Sequence, residues 1–307
     1  MPASALIGID WGTSAARAYR IGPDGAVMDV RHAPLGVQKL AAGRGFADAL
    51  AQLLGPWHDD PAPRLACGMI GSRQGWREAP YVRCPATVDE LVAGIVATGG
   101  DELAIVPGVT TRDAAGMPDV MRGEETQIVG AIDGEAGSVL AVLPGTHSKW
   151  VRVEHGRLVD FQTCMTGELY AVLLEHSILG RLAERGSSER DDDAFARGVA
   201  RGLGSGGLQH DLFGARTLCL VGELAPTGVA DWLSGLLIGR EVRTARSWSF
   251  RGGNDASTVC VVGDDALAAR YVTALGAAGI AATRGPADAA ARGLWQIARH
   301  ADRIHGE

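Results

Sequence analysis

Two short segments of the sequence combine glycine, threonine and further hydroxyl or charged side chains in a pattern that suits phosphate. The first is Leu6-Ile-Gly-Ile-Asp-Trp-Gly-Thr-Ser14 and the second is Leu143-Pro-Gly-Thr-His-Ser-Lys-Trp150. Each follows an apolar run and precedes another strand-like run, so each predicts a β-hairpin whose turn offers backbone N–H groups to phosphate oxygens. Because the pattern occurs twice, the sequence predicts a phosphoryl-transfer enzyme.

The predicted phosphate-binding residues supply backbone or side-chain donors, and they are Gly12, Thr13, Ser14, Gly145, Thr146, His147, Ser148 and Lys149. Asp10 ends the strand before the first turn, where its carboxylate can hold Mg²⁺ directly or through water. The alternative is an ordinary hairpin in which Asp10 bonds to its own turn. Lys149 could meet a phosphate as a compact charge, or it could be a solvated lysine at a hairpin tip.

A pair of carboxylates, Glu124 and Glu125, lies at the predicted start of a helix in Val120-Met-Arg-Gly-Glu-Glu-Thr-Gln127. A phosphoryl acceptor needs a carboxylate that orients its hydroxyl and takes the proton. Acidic residues also favour helix N-termini through the helix dipole, which is the structural alternative. We treat both glutamates as candidate catalytic residues beside Asp10.

Several arginines could bind an acidic substrate, because the planar guanidinium pairs well with a carboxylate or phosphate. The segment 71–86 has no clear periodicity and is predicted to be an active-site insertion. Trp76 could stack on a sugar face or pack into the core, and any single arginine, Arg83 among them, could instead be solvated. The candidate substrate-binding residues are Arg17, Ser72, Arg73, Trp76 and Arg122.

A candidate nucleotide site lies near the C-terminal end, in Cys260-Val-Val-Gly-Asp-Asp-Ala-Leu-Ala-Ala-Arg-Tyr271. The pattern predicts a strand, a turn at Gly263 and a helix capped by Asp264, and such a crossing can seat an adenosine. An ordinary capped helix is the alternative. Gly222, which follows the predicted strand Thr217–Val221, is a further candidate nucleotide-binding residue.

Composition limits the class of protein. The chain has 307 residues, 46% of them hydrophobic, so it can bury a sizeable core in two domains. Its net charge of -7 gives no electrostatic reason for binding nucleic acid or an anionic membrane. The five cysteines form no metal-ligand or CxxC spacing, which favours reduced thiols in the cytoplasm, and we expect no secretory signal.

The elements that must position these residues occur in the same order twice: three strands, then a helix, strand, helix, strand and helix. The predicted helix at Glu125–Ile132 ends the first set, and a soft segment, 133–137, separates the sets. We therefore predict an α/β fold of two similar domains, 1–133 and 134–307, with a cleft between them. The polar segment 185–193 is expected to be a surface loop.

Five motifs in one order, IDWGTS, VMRGEETQ, LPGTHSKW, CMTGELY and WLSGLLIGREV, resemble the 2-dehydro-3-deoxygalactonokinase family of sugar-acid kinases. The resemblance spans residue 6 to about residue 300 and implies two ribonuclease-H-like domains of the actin-like ATPase superfamily. The resemblance implies that 10–14 and 145–149 are phosphate loops and that 262–268 is the adenosine motif. The adenosine motif has a single glycine, Gly263, where the superfamily usually has two. Glucokinase-type relatives carry Asn-Asp-Ala-Asn at the position of 124–127, which implies Glu125 as the base.

The resemblance implies ATP- and Mg²⁺-dependent phosphorylation of 2-dehydro-3-deoxy-D-galactonate to its 6-phosphate, within galactonate breakdown. A kinase for the gluconate epimer or a related sugar acid is one alternative. A nucleotide-binding sensor or assembly protein of the actin-like group is another, and a phosphohydrolase is a third. The expected partners are the sugar acid and ATP, and a homodimer is the candidate assembly.

Overall fold

The computed structural model describes residues 4–40, 45–99, 103–132, 137–184, 190–249 and 258–301. It divides the chain into two compact units. The first unit comprises 1–137, 153–161 and 285–307, and the second comprises 138–152 and 162–284. The predicted domain boundary at 133/134, most of the soft segment 133–137, and 185–189 of the expected loop lie outside the described residues.

The first unit contains two β-sheets in the part of the chain that the structure describes. Its strands are β1 (Leu6–Trp11), β2 (Ala16–Ile21), β3 (Val27–Ala33), β4 (Arg64–Gly68), β5 (Tyr81–Arg83), β6 (Val96–Ala97), β7 (Ala104–Ile105), β8 (Gly108–Arg112) and β9 (Pro118–Met121). The larger sheet has the order β3-β2-β1-β4-β7-β6 and the smaller has the order β5-β8-β9. In the larger sheet β1 pairs antiparallel with β2 and parallel with β4. This arrangement puts the turn after β1 beside the end of β4.

The described helices of the first unit are α1 (Val37–Leu40), α2 (Phe46–Leu54), α3 (Val88–Ala93), α4 (Glu124–Ala131) and, at the far end of the chain, α10 (Ala289–His300). Apolar side chains of α10 recur on one face, where Leu294 and Ile297 are fully buried. This face packs on α4 and β1, and a β-carbon at Gly8 would lie 3.0 Å from Leu294 Cδ1. The chain thus returns to the first unit, whereas a single boundary at 133/134 assigns this segment to the second domain.

The second unit is built on a five-stranded sheet with the order β12-β11-β10-β13-β14, of which the parts of β11 and β12 within 153–161 are grouped with the first unit. Its strands are β10 (Ser138–Leu143), β11 (Ser148–Glu154), β12 (Arg157–Cys164), β13 (Thr258–Val261) and β14 (Ala281–Arg284), and its described helices are α5 (Thr166–His176), α6 (Asp192–Leu203), α7 (Leu208–Leu220), α8 (Val229–Ser249) and α9 (Asp265–Ala277). The order matches β3-β2-β1-β4-β7 of the first unit. The predicted α/β fold is therefore confirmed, and the two sheets share this strand order.

Two of the sequence predictions in the second unit differ from the structure. Thr217–Val221, predicted to be a strand, belongs largely to α7, because a short apolar run does not by itself distinguish a strand from a segment of a longer helix. The expected loop at 185–193 ends earlier than predicted, since α6 begins at Asp192 with its N-terminus capped by the carboxylate of Asp191. The nucleotide candidate Gly222 therefore follows a helix rather than a strand.

Each unit has its own apolar core. In the first, side chains of β1, β2 and β4 pack with α1 and α2, and Trp11 and Leu50 are almost fully buried. In the second, β10 and β13 pack against α6, α8 and α9 around Trp150 and Tyr271. Across the described ranges, no helix is both long and apolar enough to span a bilayer.

Candidate functional site

The first Gly-Thr turn is the hairpin between β1 and β2, as predicted. Gly12 N–H donates to Ala15 O at 2.9 Å, while the carbonyls of Gly12 and Thr13 accept from the start of α1 at 3.1 and 3.2 Å. The indole of Trp11 donates to Leu35 O at 2.7 Å. A β-carbon at Gly36 would overlap the backbone of Ser14. The back of the turn is thus fixed by 35–38, a contribution that sequence analysis missed.

Asp10 lies one residue before the end of β1, opposite Arg17 on β2 and beside Cys67 on β4. Its Oδ1 is 4.0 Å from the thiol sulfur of Cys67. Burial raises the pKa of Asp10 to about 6; the charge of Arg17 lowers this pKa and the charge of Glu124 raises it. Two of the three predicted catalytic carboxylates, Asp10 and Glu124, are thus close enough in the first unit to repel each other.

The N-terminus of α4 is fitted against the end of β4 by two glycines with positive φ. Gly68 has a φ of 92° and Gly123 a φ of 107°. A β-carbon at Gly123 would lie 3.0 Å from Gly68 Cα, and one at Gly68 would lie 2.7 Å from Trp11 O and 3.5 Å from Asp10 Oδ1. Only glycine allows this backbone approach, which brings the start of α4 to Asp10.

The two glutamates of α4 occupy different environments. Glu125 has no exposed surface, and its carboxylate oxygens accept from Gly123 N–H at 2.9 and 2.7 Å and from Thr126 Oγ1 at 3.0 Å. Burial, followed by the charge of Glu124, raises the pKa of Glu125 to about 8 despite these hydrogen bonds. Glu124 is partly exposed, and its Oε2 accepts from Arg122 N–H at 3.0 Å. Both carboxylates thus bind backbone at the helix start, the capping role that the sequence left open.

The predicted substrate-binding residues are distributed unevenly over the first unit. Arg17 is exposed beside Asp10, and the Arg73 side chain is 88% exposed, 3.9 Å from Glu78. Trp76 stacks on Phe46 at 6.1 Å between ring centroids and packs against the core. Its environment is therefore that of a packing residue, the alternative to stacking on a sugar. Arg83 is exposed on β5.

Arg122 and Ser72 carry buried polar atoms without a hydrogen-bond partner among the described residues. Arg122 is 8% exposed, its guanidinium lies 4.2 Å over the Tyr81 ring, and its Nη2 donates to Ala79 O at 2.8 Å. Its Nε and Nη1, and Oγ of Ser72, have no such partner. A β-carbon at Gly71 would lie 2.9 Å from Arg122 Nη1, so Gly71, which precedes Ser72, is adjacent to the guanidinium.

The second Gly-Thr turn joins β10 and β11, again as predicted. Thr146 and His147 are exposed, and His147 Nε2 pairs with the Glu168 carboxylate. Ser148 is fully buried with its hydroxyl 2.8 Å from Tyr271 OH, so it faces the interior rather than the tip. Lys149 is 4% exposed and donates to His147 O at 3.0 Å, which excludes the solvated hairpin-tip alternative for this lysine.

The first turn of α5 packs directly against this second turn. Glu168 N–H donates to Thr146 O at 3.0 Å. A β-carbon at Gly167 would lie 2.5 Å from Gly145 O and 2.8 Å from Thr146 Cα. Gly167 is therefore required for the contact, and sequence analysis did not select it although it stands in the CMTGELY motif.

A cavity of about 310 Å³ opens beside the second turn, within the second unit. One side is formed by Gly145 with Thr166 and Gly167 at the start of α5. Leu237 and Ile238 of α8 supply apolar surface, and Asp264, Ala266, Leu267, Arg270 and Tyr271 come from the start of α9 and the residue before it. A cavity lined by the backbone of a Gly-Thr turn and a helix start together with apolar side chains suits a nucleotide.

The three predicted nucleotide-binding residues, Gly222, Gly263 and Asp264, differ in their relation to this cavity. Gly263 has a φ of 147°, and Asp264 caps α9 by accepting from Ala266 N–H at 3.0 Å, which confirms the predicted cap. Gly222 has a φ of 79° at the end of α7 and is not among the residues that line the cavity. The structure thus brings Asp264 to the cavity, whereas neither Gly263 nor Gly222 is among the residues that line it.

Glu241 of α8 is a buried carboxylate that sequence analysis also missed. It is 4% exposed and accepts from Trp150 Nε1 at 2.7 Å and from Tyr271 OH at 2.8 Å. Its signal in the sequence is a single acid in the apolar run WLSGLLIGREV. The helical period puts that acid on the same face as Leu237.

The chain is similar to known proteins over most of its length. The sequence profile of the family described as 2-keto-3-deoxy-galactonokinase matches residues 10–297. A Rhizobium meliloti (strain 1021) protein named "Probable 2-dehydro-3-deoxygalactonokinase" is 38% identical over 306 residues, covering 94% of this chain and 97% of its own. The 2-dehydro-3-deoxygalactonokinase of Escherichia coli (strain K12) is 37% identical over 284 residues, covering 92% and 94%.

The chain is also similar to solved structures. A crystal structure from Sinorhizobium meliloti that bears the same enzyme name has a TM-score of 0.83 at 36% identity, covering 96% of this chain and 98% of that one. The activator of 2-hydroxyisocaproyl-CoA dehydratase from Clostridium difficile, with bound ADPNP, has a TM-score of 0.53 at 12% identity, covering 97% and 96%, and shares the fold alone. The chain belongs to the 2-keto-3-deoxy-galactonokinase family.

Proposed function

We propose that the protein transfers the γ-phosphoryl group of ATP to the primary hydroxyl of 2-dehydro-3-deoxy-D-galactonate, giving ADP and the 6-phosphate. The observation that carries the proposal is the match over more than nine-tenths of the chain to relatives with that enzyme name. The paired Gly-Thr turns and the acidic start of α4 supply the groups that such a reaction needs.

ATP is proposed to bind in the cavity of the second unit. The apolar surface of Leu237, Ile238 and Leu267 suits an adenine ring, and the backbone of Gly145 and the first turn of α5 suits phosphate oxygens. Thr146 and His147 extend from the same turn into solvent. Because phosphoryl transfer asks little covalent chemistry of the protein, these contacts act by positioning and by neutralising charge.

Mg²⁺ fits the carboxylates of the first unit. Within the described ranges, no cluster of three His, Cys, Asp or Glu side chains could hold a metal ion by itself. Mg²⁺ is nevertheless commonly held by one or two carboxylates together with water and substrate phosphates, and Asp10, partly exposed near the end of β1, is such a ligand. The ion, when bound, would neutralise phosphate charge. Arg17, exposed beside Asp10, would add positive charge there.

We assign the proton-accepting role to Glu124 rather than to Glu125, which the family resemblance implies. The Glu125 carboxylate is fully buried and accepts two hydrogen bonds from Gly123 N–H, so it presents no surface to a substrate hydroxyl. Glu124 is partly exposed and interacts electrostatically with Asp10. The hydroxyl oxygen would attack the γ-phosphorus, its proton would pass to Glu124, and the bond from that phosphorus to the β–γ bridging oxygen would break.

The substrate carboxylate is proposed to bind near Arg122 and Ser72. It lies at the opposite end of a six-carbon chain from the hydroxyl that reacts, so its partner should not be the arginine beside Asp10. Two guanidinium nitrogens of Arg122, Nε and Nη1, have no partner among the described residues, and the Ser72 hydroxyl has none either. A substrate carboxylate could accept hydrogen bonds from the Arg122 guanidinium and from the Ser72 hydroxyl. Because these atoms are buried, 71–72 would need to shift to admit it.

All five cysteines are free thiols, which fits a reducing compartment such as the cytoplasm. A homodimer stays a prediction.

ADP release with ATP and Mg²⁺, with and without 2-dehydro-3-deoxy-D-galactonate, tests the substrate. The gluconate epimer is run in parallel, since one inverted hydroxyl can leave a buried polar group unpaired. Stimulation by the galactonate acid alone is expected. Equal stimulation by both acids would favour the broader sugar-acid kinase, and ADP release independent of either acid would favour a phosphohydrolase. ATP-dependent assembly without sugar-dependent ADP release would instead favour the actin-like assembly protein.

Glu124→Gln and Glu125→Gln test the base under the same assay. We expect Glu124→Gln to lower kcat by about 10²- to 10⁴-fold with little change in the KM for ATP, the size of a lost general base. Glu125→Gln should retain most of kcat. The reverse pattern would return the role to Glu125.

A further inference from the structure

Glu241 is the centre of a buried polar cluster in the second unit. Its Oε1 accepts from Trp150 Nε1 at 2.7 Å and its Oε2 accepts from Tyr271 OH at 2.8 Å. Ser148 Oγ lies 2.8 Å from Tyr271 OH, and the hydroxyls of Thr166 and Ser148 also bond to the Glu241 carboxylate. We call these five residues the Glu241 cluster; they join β11, α5, α8 and α9.

The cluster has a defined direction of hydrogen bonding. The Trp150 indole can only donate, so Oε1 must accept from it. With Tyr271 donating to Oε2, the Ser148 hydrogen is directed inward, to either Tyr271 OH or Glu241. The buried Ser148 side chain therefore serves the interior, and the second turn is left to bind ligands through its backbone and through Thr146 and His147.

The cluster holds both sides of the second turn. Ser148 ends the turn and Thr166 begins α5, whose next residue, Gly167, contacts the backbone of Gly145 and Thr146. Fixing Ser148 and Thr166 to one carboxylate thus fixes the two backbone segments that border the cavity. Tyr271, a further member, lines the cavity itself.

Packing alone does not explain a buried carboxylate, because removing its charge from water is energetically unfavourable. Burial raises the pKa of Glu241, and the hydrogen bonds from Thr166, Tyr271, Trp150 and Ser148 lower it. Where a buried charged group and its partners are replaced together by apolar side chains of similar volume, stability is often unchanged. The buried acid, with its several donors, is explained by the groups that it orients.

We propose that Glu241 is a positioning residue for nucleotide binding, which fixes the second Gly-Thr turn and the start of α5 for the phosphates of ATP. The inference rests on the proposed function, in that it takes this turn to bind phosphate. It predicts that changes in the cluster weaken the binding of ATP while the binding of the sugar acid is unaffected.

The test measures MgATP binding by calorimetry, and kcat and both KM values, in Glu241→Gln, Tyr271→Phe and the double variant. The side-chain amide introduced by Glu241→Gln would donate to Tyr271 OH. Tyr271 would then donate to Ser148, which reverses the direction of the hydrogen bonds in the cluster. We expect MgATP to bind about ten-fold or more weakly, the size of one lost hydrogen bond to a charged group, with the KM for the sugar acid unchanged. The double variant should be little worse than either single variant, because the residues act as one network.

Asp211→Asn is the matched control. Asp211 is 2% exposed in the second unit and is held by Arg201 and Arg240, with Nε and Nη2 at 2.7 and 2.6 Å, away from the cavity lining. It should lower the Tm without changing MgATP affinity. If Glu241→Gln shows this same pattern, the cluster is only structural and the inference fails.

The wild-type protein separates the inference from the proposed function. Absence of MgATP binding by the wild type would overturn both. Binding of MgATP without phosphorylation of either sugar acid would overturn the substrate assignment alone, and weaker binding by Glu241→Gln would still support the inference.

Discussion

Glu124 and Glu125 are adjacent in the first turn of α4, yet their carboxylates differ in exposure and in what they bind. Glu125 has no exposed surface and takes hydrogen bonds from Gly123 and Thr126, whereas Glu124 is partly exposed. A buried carboxyl group beside a second carboxylate prefers its neutral form. The folded protein therefore binds a proton at Glu125 more tightly than the unfolded chain does.

This difference predicts a pH-dependent stability. The pKa of Glu125 is about 8 in the folded protein against an ordinary 4.5, so its contribution is fully present below about 4.5 and is lost as the pH rises through 8. Each unit of pKa difference corresponds to about 1.4 kcal/mol, so a loss of a few kcal/mol is expected between pH 5 and 9. Glu125→Gln, which stays neutral, should flatten that decline in urea-unfolding measurements at several pH values.

Glu78→Gln controls for the loss of a carboxylate in general. The Glu78 side chain is 60% exposed in the same unit. Its variant should keep the wild-type dependence on pH. A Glu125→Gln protein that loses as much stability with pH as the wild type would show that another group carries the effect.

At the scale of elements, both Gly-Thr turns are shaped by a segment that packs behind them. The first is held by 35–38, where Val37 N–H donates to Gly12 O at 3.1 Å. The second is held by the start of α5, where Glu168 N–H donates to Thr146 O at 3.0 Å. In each case a glycine, Gly36 or Gly167, permits backbone to approach backbone.

Gly167→Ala tests this packing. The new β-carbon would lie 2.5 Å from Gly145 O and 2.8 Å from Thr146 Cα, and neither backbone atom can move without moving the turn. We expect the KM for ATP to rise about ten-fold or more and stability to fall by about 1–3 kcal/mol, the usual cost of overpacking. Steady-state kinetics and thermal unfolding measure the two effects.

The matched control is Gly276→Ala on α9, where a β-carbon would meet nothing within 4 Å. Alanine there should leave the kinetics unchanged and add about 0.5–1 kcal/mol of stability, because helical glycine is entropically unfavourable. If Gly167→Ala behaved like this control, the close approach of α5 to the turn would be of no consequence for ATP.

Local patterns predicted both hairpins, the α4 start and the Asp264 cap, because each depends on residues close together in the chain. The prediction of a strand at Thr217–Val221 was wrong, since a five-residue apolar run does not distinguish a strand from a segment of a helix. The positions of Gly167 and Glu241 could not be predicted, because their roles depend on contacts with residues more than 20 positions away. The family resemblance contained both residues without indicating what they touch.

At the scale of the whole molecule, the proposed function divides the chemistry between the two units. The first carries Asp10 and the glutamates of α4, and the second carries the cavity with Asp264 and Ala266. The repeated strand order gives each unit one Gly-Thr turn after its central strand. Nucleotide binding and turnover should therefore respond to different substitutions.

Asp10→Asn and Ala266→Trp make that separation measurable. Saturating ATP at about 100 times its Kd stabilises a protein by about 2.7 kcal/mol, which appears as a rise in Tm. Asp10→Asn should keep this rise while kcat falls at least about 100-fold, because it removes a carboxylate from the first unit only. Ala266→Trp, on an exposed residue that lines the cavity, should lose the rise in Tm with ATP.

Ala269→Trp is the control for the added indole, since Ala269 is exposed on the same helix and is not among the residues that line the cavity. It should keep both the ATP-dependent rise in Tm and the wild-type kcat. Loss of the rise in Asp10→Asn would mean that the first unit is needed for ATP affinity itself. An unchanged rise in Ala266→Trp would place the nucleotide outside this cavity, and the division of roles between the two units would then be wrong.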